Sequence, residues 1–203
     1  MTVPLITVGS YLHRGEAEIA LAHLAAAGIA GVVVADDEGG LNPGLYADHR
    51  VRVVVCGGDR ISAVAVLGGD GLGLPMPGQI HDAIVAHARF CAPAEACGLL
   101  ATDRDGRLRM AYCLTNVDAS PSRFTVAPDE HYRAMRHAER NGWTIGGSFH
   151  SHPASPPFPS PADVAGALDP AWLHVVAGLL PAPQVRGFAI SGGVATEVPL
   201  HLA

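Results

Sequence analysis

Residues 150–163 read His-Ser-His-Pro-Ala-Ser-Pro-Pro-Phe-Pro-Ser-Pro-Ala-Asp. This stretch limits the fold more than any other, because its two histidines can act together only on a strand. Side chains two apart on a strand face the same side, so His150 and His152 can turn ring nitrogens toward one point. The apolar-leaning run 143–149 predicts that strand. Pro153 cannot donate to a sheet ladder and predicts its end. The proline-rich connection then returns at Ser160-Pro161-Ala162-Asp163. Two His, one Asp and an open fourth position describe a catalytic zinc site, since structural sites are closed by four protein ligands.

Each part also has a plain structural reading. The His pair alone suits a half-exposed strand face. Ser160-Pro161-x-Asp163 is a good helix start: Ser caps well, Pro suits the first helical position, and an acid in the first turn suits the helix dipole. The two readings are compatible, because a helix start would fix the directions of Ser160 and Asp163. Glu95, upstream in Glu95-Ala96-Cys97-Gly98-Leu99-Leu100, would alone be an ordinary strand-edge acid.

Taken together, these residues resemble the JAMM (MPN-plus) metallopeptidases. That family's pattern is His-Ser/Thr-His-Pro, then Ser and Asp at fixed spacing, with an upstream Glu in Glu-x-Cys-Gly-Leu-Leu. Every polar member is present, and the resemblance covers about residues 75–203. It implies that His150, His152 and Asp163 hold one Zn²⁺ per chain. It further implies that Glu95 is the general base and acid, and that Ser160 donates to the oxyanion. Asn116, Arg123 and Phe124 fall where family members have polar and aromatic positions near the substrate groove. Ser148 departs from the family, which more often has a larger apolar residue there. Ser151 points to the opposite strand face and is expected only to pack.

The implied reaction is hydrolysis of a peptide or isopeptide bond after the Gly-Gly tail of a ubiquitin-fold protein. The short gap between His152 and Ser160 resembles the compact prokaryotic members, whose implied partners are ubiquitin-fold sulfur carriers. Only glycine lets a backbone pass so near a metal centre. Two other functions fit the same chain: a catalytically silent MPN scaffold or signalling adaptor, and a metal-dependent hydrolase of a small amide or dipeptide. Zinc deaminases need His-x-Glu and Pro-Cys-x-x-Cys, which do not occur here.

Composition sets outer limits. The 203 residues are 49% hydrophobic and 16% charged, with a net charge of −6. That suits a packed globular protein. Without a basic run or a phosphate loop, nucleic acid is not an expected partner. Met1-Thr2-Val3-Pro4 does not read as a signal peptide. The apolar run 19–35 carries His23 and Gly28 and reads as helix then strand, not a membrane span. A cytoplasmic protein is expected, with Cys56, Cys91, Cys97 and Cys113 as buried free thiols; an oligomer is compatible. All 13 basic residues are arginine. A GC-rich genome accounts for that; an enzyme avoiding lysine modification would show it too.

The expected fold class is α/β (α+β) in two units. Residues 1–69 read as β-α-β-β-α, a small ferredoxin-like domain. Its loop Gly39-Gly40-Leu41-Asn42-Pro43-Gly44-Leu45-Tyr46 resembles a small prokaryotic domain assigned to signal transduction, and is a candidate recognition element. Residues 70–78, rich in Gly and Pro, read as a linker. Residues 79–203 read as helix 79–91, strands 95–102 and 108–114 around an Asp105-Gly106 turn, and helix 128–141. The motif strand, a motif helix at 161–168 and strands near 172–180, 184–190 and 194–200 complete the order. His81 and His87 are expected at the surface. This order fits the JAMM fold, a cytidine-deaminase-like sheet flanked by helices.

Overall fold

The N-terminal unit consists of β1 (Leu5–Tyr11), α1 (Arg14–Ala26), β2 (Gly31–Val34), β3 (Val51–Cys56), a 3-10 turn (Gly57–Asp59) and α2 (Arg60–Leu67). The computed structural model describes residues 4–35, 51–68 and 71–203. The Gly/Pro-rich loop at 39–46 lies outside the described residues. Strand β3 sits between β1 and β2 and runs antiparallel to both, which is the split β-α-β arrangement. Helix α1 is stopped by Gly28, whose φ of 77° favours a residue without Cβ.

The rest of the chain runs β4 (Leu74–Met76), α3 (Gly78–Cys91), β5 (Cys97–Thr102), β6 (Leu108–Leu114), α4 (Pro128–Arg140), β7 (Thr144–His152), α5 (Pro161–Gly166), β8 (Leu173–Gly178), β9 (Gln184–Ser191), β10 (Val194–Val198) and β11 (Leu200–Leu202). Six strands form one sheet in the order β10-β9-β8-β7-β5-β6. Only β7 and β8 are parallel in it. The motif strand is longer than its apolar run suggests and carries both histidines at its end. Flanked by β5 and β8, it alternates regularly from Gly147 to His152, after a register shift against β5 between Ile145 and Gly147. Phe149 and Ser151 turn to one face, and His150 and His152 to the other.

The segment expected as a linker, 70–78, holds a strand instead. Leu74–Met76 pairs in parallel with Leu200–Leu202, and Leu74 and Met76 are buried. The pairing is possible because Pro199 interrupts the chain after β10, and its carbonyl accepts from Leu74 N at 2.7 Å. The apolar core is continuous across this strand. Val8, Leu24, Val64 and Leu67 from the N-terminal unit share one cluster with Met76, Ile84, Leu100, Phe149 and Val175. That cluster lies on the Phe149 side of the sheet, opposite the face that carries His150 and His152.

Gly98 shows how tightly the central strands pack. A Cβ there would run into the Tyr112 carbonyl on β6 and the ring of Phe149 on β7. Overpacking of this kind costs about 3 kcal/mol. Gly98→Ala is therefore expected to lower the thermal midpoint by about 6–12 °C. A midpoint unchanged in a calorimetric scan would contradict that packing.

Candidate active site

The site is assembled at the C-terminal end of β7. His150 and His152 are both buried there. Their Nε2 atoms are 3.0 Å apart. Asp163 Oδ2, from the first turn of α5, lies 3.4 Å from His150 Nε2 and 3.6 Å from His152 Nε2. Two ligand atoms about 2.0–2.1 Å from one tetrahedral ion would sit about 3.3 Å apart. The three observed separations match that spacing, so these residues could hold a single metal ion.

Three further bonds fix the His152 and Asp163 side chains. His152 Nδ1 donates to Pro156 O at 3.1 Å, which leaves the Nε2 lone pair facing the centre. The next residue, Pro157, packs where a Cβ on Gly178 would strike it. Ser160 caps α5. Its Oγ accepts from Asp163 N at 3.2 Å, and Asp163 Oδ2 accepts from Ser160 N at 2.6 Å. This is a reciprocal capping box, and Ser160 also helps to lower the pKa of the Asp163 carboxyl. The helix-start reading of this segment holds, and the same turn aims Asp163 Oδ2 at the two histidines.

Glu95 lies just before β5 rather than on it, and is only 5% exposed. Its carboxylate has no hydrogen-bond partner among the described residues. Burial raises its pKa, and the nearby His150 and His152 charges work against that. A carboxyl raised in this way holds its proton to a higher pH than an exposed one. Asp163 behaves differently. Burial would raise its pKa, but the adjacent His150 and His152 rings outweigh this and hold it well below the usual range. His152 in turn is raised, chiefly by Asp163.

The three candidate groove residues divide. Phe124 stacks on the His150 ring, with centroids 4.8 Å apart and planes at 23°. Arg123 is exposed and pairs with Asp118 at 3.5 Å. The Asn116 side chain points inward and donates to the Glu95 carbonyl at 3.0 Å, so it faces the protein and not a groove. Ser151 does more than pack. Its Oγ accepts from Ala96 N at 2.8 Å, tying the histidine strand to the residue after Glu95. Its place between two site histidines was the only sequence signal for that role.

Other expectations at the surface and core are revised. Cys97 is buried, but Cys56 and Cys91 are half-buried and Cys113 is exposed. Burial pushes the Cys97 thiol up to about 12, so it stays protonated, and it is not among the residues grouped around the metal position. His87 is half-buried rather than exposed. It bonds Leu114 O at 3.1 Å and meets Phe149 edge-on, because α3 packs its ring onto the sheet.

Residues 77–190 match the family described as prokaryotic homologs of the JAB domain. The chain belongs to this family. It is 35% identical over 109 residues to a protein of Haloferax volcanii named desampylase, covering 51% of this chain and 78% of that one. It is 32% identical over 130 residues to the CysO-cysteine peptidase of Mycobacterium bovis, covering 61% and 87%. A solution structure of a Desulfitobacterium hafniense protein superposes with a TM-score of 0.59 at 35% identity, covering 64% of this chain and 92% of that one. No helix among the described residues is long and apolar enough to cross a membrane.

The raised His152 sets a pH dependence with opposite signs for the two forms. In metal-free protein, the stability it contributes is complete below the unfolded histidine pKa, about 6.5. It is lost as pH rises through the higher folded value. A metal needs the neutral ring and competes with that proton. The thermal shift produced by zinc over chelator is therefore expected to grow from about pH 6 to about pH 8. A shift that is flat or falls across that range would contradict the ligand assignment.

Proposed function

We propose that the chain is a zinc-dependent peptidase or isopeptidase that hydrolyses the amide bond after the C-terminal Gly-Gly of a ubiquitin-fold sulfur-carrier protein. The observation that carries this reading is the convergence of His150, His152 and Asp163 beside the buried Glu95. The names of the relatives, desampylase and CysO-cysteine peptidase, support the substrate class.

His150, His152 and Asp163 would hold the zinc. When bound, zinc supplies Lewis acidity that polarises a carbonyl and makes water a nucleophile near neutral pH. Glu95 takes the proton from the attacking water and returns it to the leaving amine; its raised pKa suits both halves of that transfer. Ser160, whose Oγ is fixed by the Asp163 N–H, donates its hydroxyl proton to the oxygen that gains charge as the carbonyl is attacked. Phe124, flat against His150, walls one side of the centre and keeps water from that face of the ring. A tail without side chains suits so enclosed an approach. Four free cysteines agree with a reducing, cytoplasmic setting.

Two measurements test this reading together. Protein purified without added metal is expected to carry about one zinc per chain, lost in His152→Ala. Glu95→Gln is expected to keep the zinc and lose about 100-fold or more in kcat on a carrier bearing a C-terminal extension. Zinc absent from the wild type even after it is offered would end the hydrolase reading. A near-normal rate in Glu95→Gln would remove Glu95 from its role.

A further inference from the structure

Glu95 has a problem that its own side chain does not solve. The carboxylate must be placed against the metal ligands, yet nothing among the described residues bonds to it. Its position therefore depends on its backbone. Glu95 also precedes β5, so no ladder bonds of that strand hold it.

The chain between β6 and α4 supplies what is missing. Glu95 N donates to Ser120 O at 2.8 Å, and Glu95 O accepts from Asn116 Nδ2 at 3.0 Å. Both peptide groups of Glu95 are thus held by one loop. Asn116 organises that loop as well. Its Nδ2 donates to Arg123 O at 3.0 Å, and its Oδ1 accepts from Asp118 N at 3.0 Å and from Thr125 N at 3.1 Å. An asparagine side chain has two donor hydrogens and two acceptor lone pairs, and here all four are spent. The network also fixes which end of the amide is which. A flipped side chain would set oxygen against two carbonyls and NH₂ against two N–H groups. The same loop carries Phe124 against His150, so one side chain sets both the base and the wall of the site.

We infer that Asn116 is a positioning residue: through its bond to the Glu95 carbonyl, it sets the Glu95 carboxylate against His150, His152 and Asp163. The inference rests on the hydrolase reading above for its kinetic consequence. Asn116 touches no reacting atom. It acts through Glu95, where a misplacement of about 1 Å can cost about 100-fold in rate.

The test is Asn116→Asp. A carboxylate keeps both acceptors for Asp118 N and Thr125 N, so those two closing bonds of the loop survive. It loses the donors to Glu95 O and to Arg123 O and sets oxygen against oxygen at both. Asn116→Ser, neutral and too short to reach Glu95 O, controls for the added charge and serves if the aspartate variant does not fold. Thr125→Ala loosens the same loop by removing the 2.7 Å bond to Asp118 without touching Glu95. For the Asn116 variants, kcat is expected to fall about 10- to 100-fold with KM within about twofold and zinc content unchanged, while Thr125→Ala stays within about threefold of wild type. Crystal structures of the zinc-loaded variants are expected to show the Glu95 carboxylate displaced from its wild-type place. An unchanged kcat, an equal fall in Thr125→Ala, a fall that tracks zinc loss, or an unmoved carboxylate would each overturn the inference. A wild type that cleaves no carrier would instead sink the hydrolase reading, and the displacement alone would then decide whether Asn116 positions Glu95.

Discussion

Regular alternation along β7 from Gly147 to His152 is the constraint on which the rest of the molecule depends. The strand is flanked on both edges and covered on both faces, so a slip of one residue would exchange its two sets of side chains. In register, Phe149 joins the main core while His150 and His152 meet Asp163. The pairings Cys97 with His150 and Gly98 with Phe149 hold that register. Gly98 allows it, because no side chain would fit between Tyr112 and Phe149. Core packing and site chemistry are thus two readings of one alternation.

Much of the site was legible in the sequence because its parts are local. A strand places residues two apart on one side, and a capping box fixes a serine and an acid three apart. Both rules operate within a few residues, so His150, His152, Ser160 and Asp163 could be oriented from spacing alone. The link between Glu95 and the histidines came only by resemblance, since 55 residues separate it from His150. The β-α-β-β-α order of the N-terminal unit followed from periodicity and turn residues.

What was not legible depends on partners distant in the chain. Leu74–Met76 looks like a linker because Pro75 and its neighbours carry turn residues, and its strand exists only through Leu200–Leu202. Asn116 looked like a groove residue because an isolated polar side chain does not reveal its partners. Its four bonds span residues from Glu95 to Thr125. His87 read as exposed because helical spacing gave no hint that β6 would offer the Leu114 carbonyl. In each case the sequence carries the functional group, and only the fold supplies its complement.

The reciprocal bonds between Ser160 and Asp163 bear on how such a protein can change over generations. Each residue is both a chemical group of the candidate site and half of the cap that starts α5. Replacing either one disturbs the partner's direction and the helix entry at once. A lineage therefore has no neutral first step at this corner. Inactivation here is tied to local misfolding, so a descendant that kept the fold but abandoned hydrolysis would more readily begin at Glu95, whose carboxylate no neighbour needs for its own conformation.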